Sequence, residues 1–235
     1  MTVDYPSLGG KKIMLRIAVV VIALCLPGLL QAQDKKKSGD QIWNELYAKR
    51  EGVDHRFNKF LAETVKDMKP GKALDIGMGQ GRNSLFLAAL GWEVTGFDIS
   101  EVGVKQAQAE AAKRGLKIDA QVGDAMKYDY GKAKWDLVLG MYMYQYLDKN
   151  AAKVVASLKP GGVLVVEGIH RDLNKGNLRG EAYGYRNNEL LKIWSGLRIK
   201  HYEDTVTQAD WDRSGGKAVP LVRLLAVKKA PAARK

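Results

Sequence analysis

From Lys72 to Glu167, short apolar runs alternate with amphipathic stretches whose apolar side chains recur at helical spacing. Runs of that length between turn residues predict buried strands separated by helices, the arrangement of a parallel sheet covered on both faces. Strands are expected at Lys72 to Ile76, Glu93 to Phe97, Lys117 to Val122, Trp135 to Leu139 and Val163 to Glu167. Between them, helices are expected at Arg82 to Leu90, Ser100 to Arg114 and Asn150 to Leu158. Gly91 and Gly115 stop the first two, and Ser100 is placed as an N-cap. Lys159-Pro160-Gly161-Gly162 reads as a turn into the fifth strand. Downstream, the spacing predicts a helix at Asn188 to Trp194 and strands at Leu197 to Glu203 and Leu221 to Lys228. Upstream, Gln41 to Lys49 and Phe57 to Lys66 are helical in pattern and form an N-terminal flap that ends at Lys69-Pro70-Gly71. No internal repeat is visible.

The first 33 residues follow a different pattern. Lys11, Lys12 and Arg16 precede an apolar run from Ile17 to Leu30, and Ala32 is a small residue suited to cleavage. The run is shorter than the roughly 20 residues that span a bilayer, and Pro27-Gly28 interrupts it. Residues 1–33 therefore read as a signal peptide or N-terminal anchor, with membrane association through residues 13–30. The expected location is outside the cytoplasm or at its membrane, or the cytoplasm itself if the N-terminus is misassigned; a natural start at Met14 would still leave Arg16 and the apolar run as a signal of conventional length. Residues 34–40 read as a linker, 41–228 as the folded domain and 229–235 as a basic flexible tail.

Composition narrows the chemistry. The formal charge of +12 favours anionic partners, but the lysines are scattered and form no dense basic block. Cys25 is the only cysteine and lies inside the leader, so a mature domain would have no disulfide, thiolate nucleophile or Cys-bound metal. No histidine pair has metal-ligand spacing, and no metal is expected.

The richest local signal is Asp75-Ile76-Gly77-Met78-Gly79-Gln80-Gly81-Arg82-Asn83, at the junction of the first strand and the first helix. Glycines there let the backbone turn sharply and approach a ligand that a Cβ would exclude. The helix start offers backbone N–H groups to a carboxylate, and Asp75 can accept from an ammonium group. Dinucleotide-binding folds use G-x-G-x-x-G at this junction, which needs Gly or Ala where this chain has Arg82. An acidic residue followed by G-x-G-x-G fits Asp75 to Gly81 instead. Asp98, closing the second strand, is placed to hold two ribose hydroxyls. Gly123-Asp124-Ala125-Met126 after the third strand can bracket an adenine.

On these motifs, Gly71 to Glu167 resembles the class I S-adenosylmethionine-dependent methyltransferase family. The runs Ala73 to Gly77, Gly79 to Ser84, Gly96 to Ser100 and Leu158 to Gly162 are similar to its tellurite-resistance and small-molecule branch. Met78 departs from the cysteine common in that branch. The resemblance implies a Rossmann-like α/β fold with a seven-stranded, mostly parallel sheet, one antiparallel strand and helices on both faces. It implies S-adenosyl-L-methionine as cofactor, with Asp75, Gly77, Gly79, Gly81 and Arg82 at the methionine end. Asp98 and Ile99 would meet the ribose and adenine, Asp124 and Ala125 the adenine edge, and Gly140 would face the sulfonium.

The acceptor should sit beyond the fourth and fifth strands. Leu139 to Tyr146 is rich in tyrosine and methionine, which can exclude water and contact a cation. Tyr142 and His170 are the candidate catalytic side chains, His170 as a base for an acceptor that carries a proton. The loop Gly168 to Arg186, with Arg171, Arg179, Tyr183 and Tyr185, reads as the specificity element. The Asn/Asp-Pro-Pro-aromatic signature of enzymes that methylate nucleic-acid bases is missing after Leu139, which argues against nucleic acid as partner. The expected activity is methyl transfer to a small molecule, with thiol or chalcogen oxyanion favoured over hydroxyl. The alternatives are a membrane-associated lipid or quinone methyltransferase and a cofactor-binding protein without transferase activity.

Overall fold

The structure is a computed structural model that describes residues 37–50, 52–174, 183–210 and 217–230. The leader at residues 1–33, the central part of the Gly168 to Arg186 loop with Arg179, and the tail beyond residue 230 lie outside the described residues. The described residues from Lys37 onward form one compact unit.

The flap consists of α1 (Gly39–Ala48) and α2 (Lys59–Val65). Asn58 caps α2, its Oδ1 accepting the Leu61 N–H at 2.8 Å. The alternating part follows as β1 (Lys72–Ile76), α3 (Arg82–Ala89), β2 (Glu93–Asp98), α4 (Glu101–Lys113), β3 (Asp119–Val122) and β4 (Trp135–Met141). Then come α5 (Tyr146–Lys149), α6 (Ala151–Ser157), β5 (Leu158–Ile169), a 3-10 turn at Arg171–Asn174, α7 (Glu189–Ile193), β6 (Arg198–Gln208) and β7 (Ala218–Val227). Ser100 caps α4 as expected, accepting the Gly103 N–H at 3.1 Å.

The strands form one seven-stranded sheet in the order β3-β2-β1-β4-β5-β7-β6. The pairings from β3 to β5 are parallel, and β7 runs antiparallel to both of its neighbours. This is the Rossmann-like sheet with a single reversed strand. Its order turns round between β1 and β4, and at that switch point the carboxyl ends of neighbouring strands leave a crevice. Both faces are covered. Leu74, Ile76 and Val138 pack into one apolar cluster, while Ala73, Leu137 and Leu139 point to the other.

Three expectations change. The helix expected at Asn150 to Leu158 is α6, and a further short helix that the sequence did not suggest, α5, precedes it. The Lys159 to Gly162 turn lies inside β5 as a bulge: the register passes from Trp135↔Leu158 to Leu137↔Val163, and Gly161 and Gly162 exchange backbone hydrogen bonds with Lys228. β6 runs on to Gln208, past the expected Glu203, because it pairs with β7 along its whole length.

Candidate active site

The crevice opens into a cavity of about 560 Å³, within the range of small-molecule sites. Its floor is the loop between β1 and α3. Gly77, Gly79 and Gly81 all have φ between +55° and +80°, backbone that residues with a Cβ adopt only under strain. A Cβ on Gly77 would also run into the Met143 side chain, and one on Gly81 would lie 2.8 Å from the Ala107 Cβ. The loop is tied to β2: Phe97 O accepts from the N–H groups of Gly77 and Met78, at 2.9 and 3.0 Å.

Two carboxylates flank it. Asp75 is buried at the end of β1, where Ser84 donates its hydroxyl to Oδ2 at 2.7 Å. Burial pushes its pKa up to about 6, against the pull of Ser84 and the Arg82 charge. Asp98 accepts the Gly79 N–H on one oxygen at 2.9 Å and the Ser100 N–H on the other at 2.8 Å. Burial raises its pKa too, and those two backbone donors oppose the shift. Asp98 thereby locks the glycine loop to the next strand with its orientation fixed.

The cavity continues past Ile99 to Asp124 and Ala125 after β3. Above it lies α1, which turns Gly39, Trp43 and Tyr47 toward the cavity, with Arg50 just past its end. Trp43 and Tyr47, four residues apart, stack at 5.7 Å. Asn44 fastens α1 in place, its Oδ1 accepting from the Ser100 hydroxyl at 2.7 Å and from the Val102 N–H at 3.2 Å.

At the other end, the carboxyl ends of β4 and β5 contribute Met141, Tyr142, Met143 and Ile169, joined by Tyr146 and Tyr183. Tyr142 and Gln145 hold φ of 62° and 70°. Left-handed backbone at non-glycine residues beside a cavity is the kind of strain that functional sites retain. The Tyr142 hydroxyl donates to Glu167 Oε1. Glu167 is fully buried and also receives the Asn58 amide at 2.7 Å and Arg223 Nε at 2.6 Å. Burial, then the Glu167 charge, push the Tyr142 hydroxyl far above an ordinary phenol, so it stays protonated.

Of the residues expected from sequence, the structure brings Asp75, Gly77, Gly79, Arg82, Asp98, Ile99, Asp124, Ala125 and Tyr142 together on this wall. It does not bring Gly81, Gly140 or His170 there. Gly81 turns its Cα toward α4. Gly140 faces Leu147, whose methyl carbons would sit 2.9 and 3.0 Å from a Cβ, so it makes room for α5. His170 is buried, with Nε2 2.9 Å from Asn187 Oδ1 and Nδ1 accepting the Asp172 N–H at 3.2 Å. Those contacts tie it to Asn187 and Asp172 rather than to the cavity, a structural role. Arg82 reaches the wall while donating to the backbone carbonyls of Arg56 and Asp210, at 2.8 and 2.7 Å.

Sequence reading missed Trp43, Tyr47 and the Asn58–Glu167–Arg223 cluster. The i, i+4 aromatic pair was a visible signal for the first two. A carboxylate closing the apolar run Val163 to Val166 was the signal for Glu167, since a buried acid requires a partner.

A family profile described as a methyltransferase domain matches residues 73–162. A ubiquinone biosynthesis O-methyltransferase of Brucella ovis is 30% identical over 174 residues, covering 72% of this chain and 67% of the relative. Hemagglutinin 1 of Eikenella corrodens is 24% identical over 180 residues, covering 73% and 58%. The chain spans between 31% and 58% of the length of the first curated relatives it matches. Among solved structures, TehB from Haemophilus influenzae superposes with a TM-score of 0.64 at 21% identity, over 73% of this chain and 62% of that one. Fold, motif spacing and relatives agree, and the chain belongs to the class I S-adenosylmethionine-dependent methyltransferase family.

Proposed function

We propose that this chain transfers a methyl group from S-adenosylmethionine to a small-molecule acceptor held at the carboxyl ends of β4 and β5. The observation that carries this reading is one continuous cavity that joins the glycine loop, Asp98 and Asp124 to the aromatic wall at Tyr142. Donor seat and acceptor wall share a single volume. Family membership implies the cofactor, and the walls suit it. Gly77 and Gly79 put backbone rather than side chain on the cavity floor, and Asp75 offers an acceptor for an ammonium group. Asp98 carries further lone pairs for ribose hydroxyls, and Ile99 and Ala125 give an adenine apolar neighbours. Bound there, the cofactor supplies an electrophilic methyl group. The chain's own part is to align the acceptor behind it and exclude water, which Met143, Tyr146 and Tyr183 serve.

A soft nucleophile, a thiol or a chalcogen oxyanion, needs no base, and likeness to TehB supports that choice. A second reading, a lipid or quinone acceptor at a membrane, draws on exposed apolar side chains at the cavity mouth, with Trp43 42% and Tyr146 46% exposed. Likeness to ubiquinone O-methyltransferases supports it. The leader-like start of the chain supports export or anchoring, which mass measurement of the mature N-terminus after fractionation tests.

Calorimetric titration of the chain with S-adenosylmethionine and S-adenosylhomocysteine tests the core of the reading. Both should bind, and Asp98→Ala should weaken each at least about tenfold, the loss of a hydrogen bond to a charged group. Equal affinity in the two proteins would remove Asp98 from the seat.

A further inference from the structure

Among the described residues, four buried side-chain polar atoms complete no hydrogen bond: Asp148 Oδ1, Asn150 Oδ1, the Tyr185 hydroxyl and Trp194 Nε1. A buried polar atom left unpaired is costly, so each one calls for an explanation. Two of them belong together. The hydroxyl of the fully buried Tyr185 faces the carboxyl of Asp148, a half-buried residue of α5, without closing a hydrogen bond of ordinary geometry. Each stands two residues beyond a tyrosine that lines the cavity, Asp148 beyond Tyr146 and Tyr185 beyond Tyr183.

Tyr185 is also where the chain returns to the end of β5. Its carbonyl accepts the Arg171 N–H and its own N–H donates to the Ile169 carbonyl, both at 2.9 Å, in a bridge to His170. Its ring covers Gly168, where a Cβ would collide with it, and meets Tyr144 edge-on at 4.8 Å. Tyr144 meets Tyr183 edge-on as well, at 5.9 Å. The Asp148–Tyr185 contact thus ties α5 to the segment that carries Tyr183. The ionisable groups acting on Asp148 are Glu189, at the start of α7, and Tyr185 itself, while Tyr185 is faced in addition by Tyr183 and Glu189. Burial, then the Glu189 charge, push the Asp148 carboxyl up to about 6, against the pull of the Tyr185 hydroxyl. A neutral carboxyl can donate to the Tyr185 oxygen. An ionised one can only accept, and it sets a second negative charge beside Glu189.

We propose that Asp148 and Tyr185 are positioning residues, a proton-dependent fastening that holds Tyr146 and Tyr183 in the acceptor wall in mild acid and loosens them toward neutral pH. Neither residue touches the reacting atoms, and each acts through the wall tyrosine beside it. Opening of this contact returns Asp148 to water, where its carboxyl ionises near pH 4. Between about pH 4 and pH 6 the fastened segment therefore keeps a proton that the opened one has released to solvent. The hold is fully present below that window and lost as the pH rises through it. At the other end of the cavity the ionised Asp75 favours a cationic cofactor, so acid tightens the acceptor wall while it weakens the donor seat. The proposal rests on the methyltransferase reading only in calling this wall the acceptor's.

Amide hydrogen exchange of the full chain, resolved by residue and corrected for its intrinsic pH dependence, tests this without any ligand. From about pH 4.5 to pH 7, opening at the Arg171 and Tyr185 amides should rise at least about tenfold, one unit of a shift discounted for a carboxyl that is only half-buried. The amides of β1, beside Asp75, are the reference and should rise less. Asp148→Asn supplies a permanently neutral donor and should keep both amides protected across the range. Glu189→Gln removes the charge facing Asp148, can still accept the Arg186 N–H, and should move the midpoint of the rise to lower pH. A residue that merely filled space would leave that midpoint where it is. Thermal melts accompany both variants, and should Asp148→Asn not fold, the midpoint in Glu189→Gln decides. The proposal is overturned if the parent amides change by less than about twofold, if their rise persists in Asp148→Asn, or if β1 rises equally. An unmoved midpoint in Glu189→Gln would overturn it as well. Failure of S-adenosylhomocysteine to bind in calorimetry would remove the methyltransferase reading, and with it the acceptor, while leaving the exchange result to stand or fall on its own.

Discussion

At Asp75, burial and function oppose each other. With its pKa raised to about 6, the folded chain retains a proton between about pH 4 and pH 6 that the unfolded chain has already released. Raising the pH through that window therefore costs stability, and the group is ionised in the fold only above it. A cationic ammonium partner reverses the balance by favouring the ionised carboxylate. Affinity for S-adenosylmethionine should accordingly fall about tenfold per pH unit below pH 6, level off above it, and lose this dependence in Asp75→Asn. Calorimetry across that range, with proton release read from buffers of different ionisation enthalpy, checks this. Gly77→Ala forces a Cβ onto left-handed backbone and into Met143. It should destabilise the fold by about 2–4 kcal/mol in denaturant titration, combining backbone strain with overpacking. Residues of this kind were legible because glycine loop, Asp75 and Asp98 carry their meaning in local spacing. Glu167 could be read only as a buried acid in want of a partner, because the partners themselves, Asn58, Tyr142 and Arg223, come from three remote segments.

Among the elements, α1 shows how one helix completes a site otherwise made by the sheet. Part of its hold on the rest runs through Asn44, whose single side-chain oxygen receives both the Ser100 hydroxyl and the Val102 N–H. Asn44→Ala should loosen the helix, seen as faster amide exchange across Gly39–Ala48, and weaken cofactor binding by about five- to tenfold. The β1-to-β4 region was readable because buried parallel strands are nearly continuous apolar runs, and β1 matched its expected ends. β6 was readable only in part. Its solvent-facing polar residues, such as Lys200, Asp204 and Gln208, blur the alternation, and its full length emerges only through pairing with β7. α5 escaped notice because nothing in the sequence marks Gln145, a non-glycine residue that takes positive-φ backbone at its start.

Across the whole molecule, the cluster around Glu167 joins the flap, β4, β5 and β7 through one carboxylate. Removing one member of a buried ion pair leaves the other uncompensated. Arg223→Ala should cost about 3–5 kcal/mol and lower the melting temperature by about 10 °C, with Arg223→Lys recovering part of it. The same variant should disturb Tyr142 and slow methyl transfer even though Arg223 itself does not line the cavity.

The reversed strand β7 has a further consequence, for the order in which the protein can be made. It enters the sheet between β5 and β6, so the edge of β5 stays open until the last strand has left the ribosome. The cofactor seat uses only strands synthesised early and can assemble on the nascent chain. The acceptor wall must wait for Arg223, so donor binding matures before catalysis does.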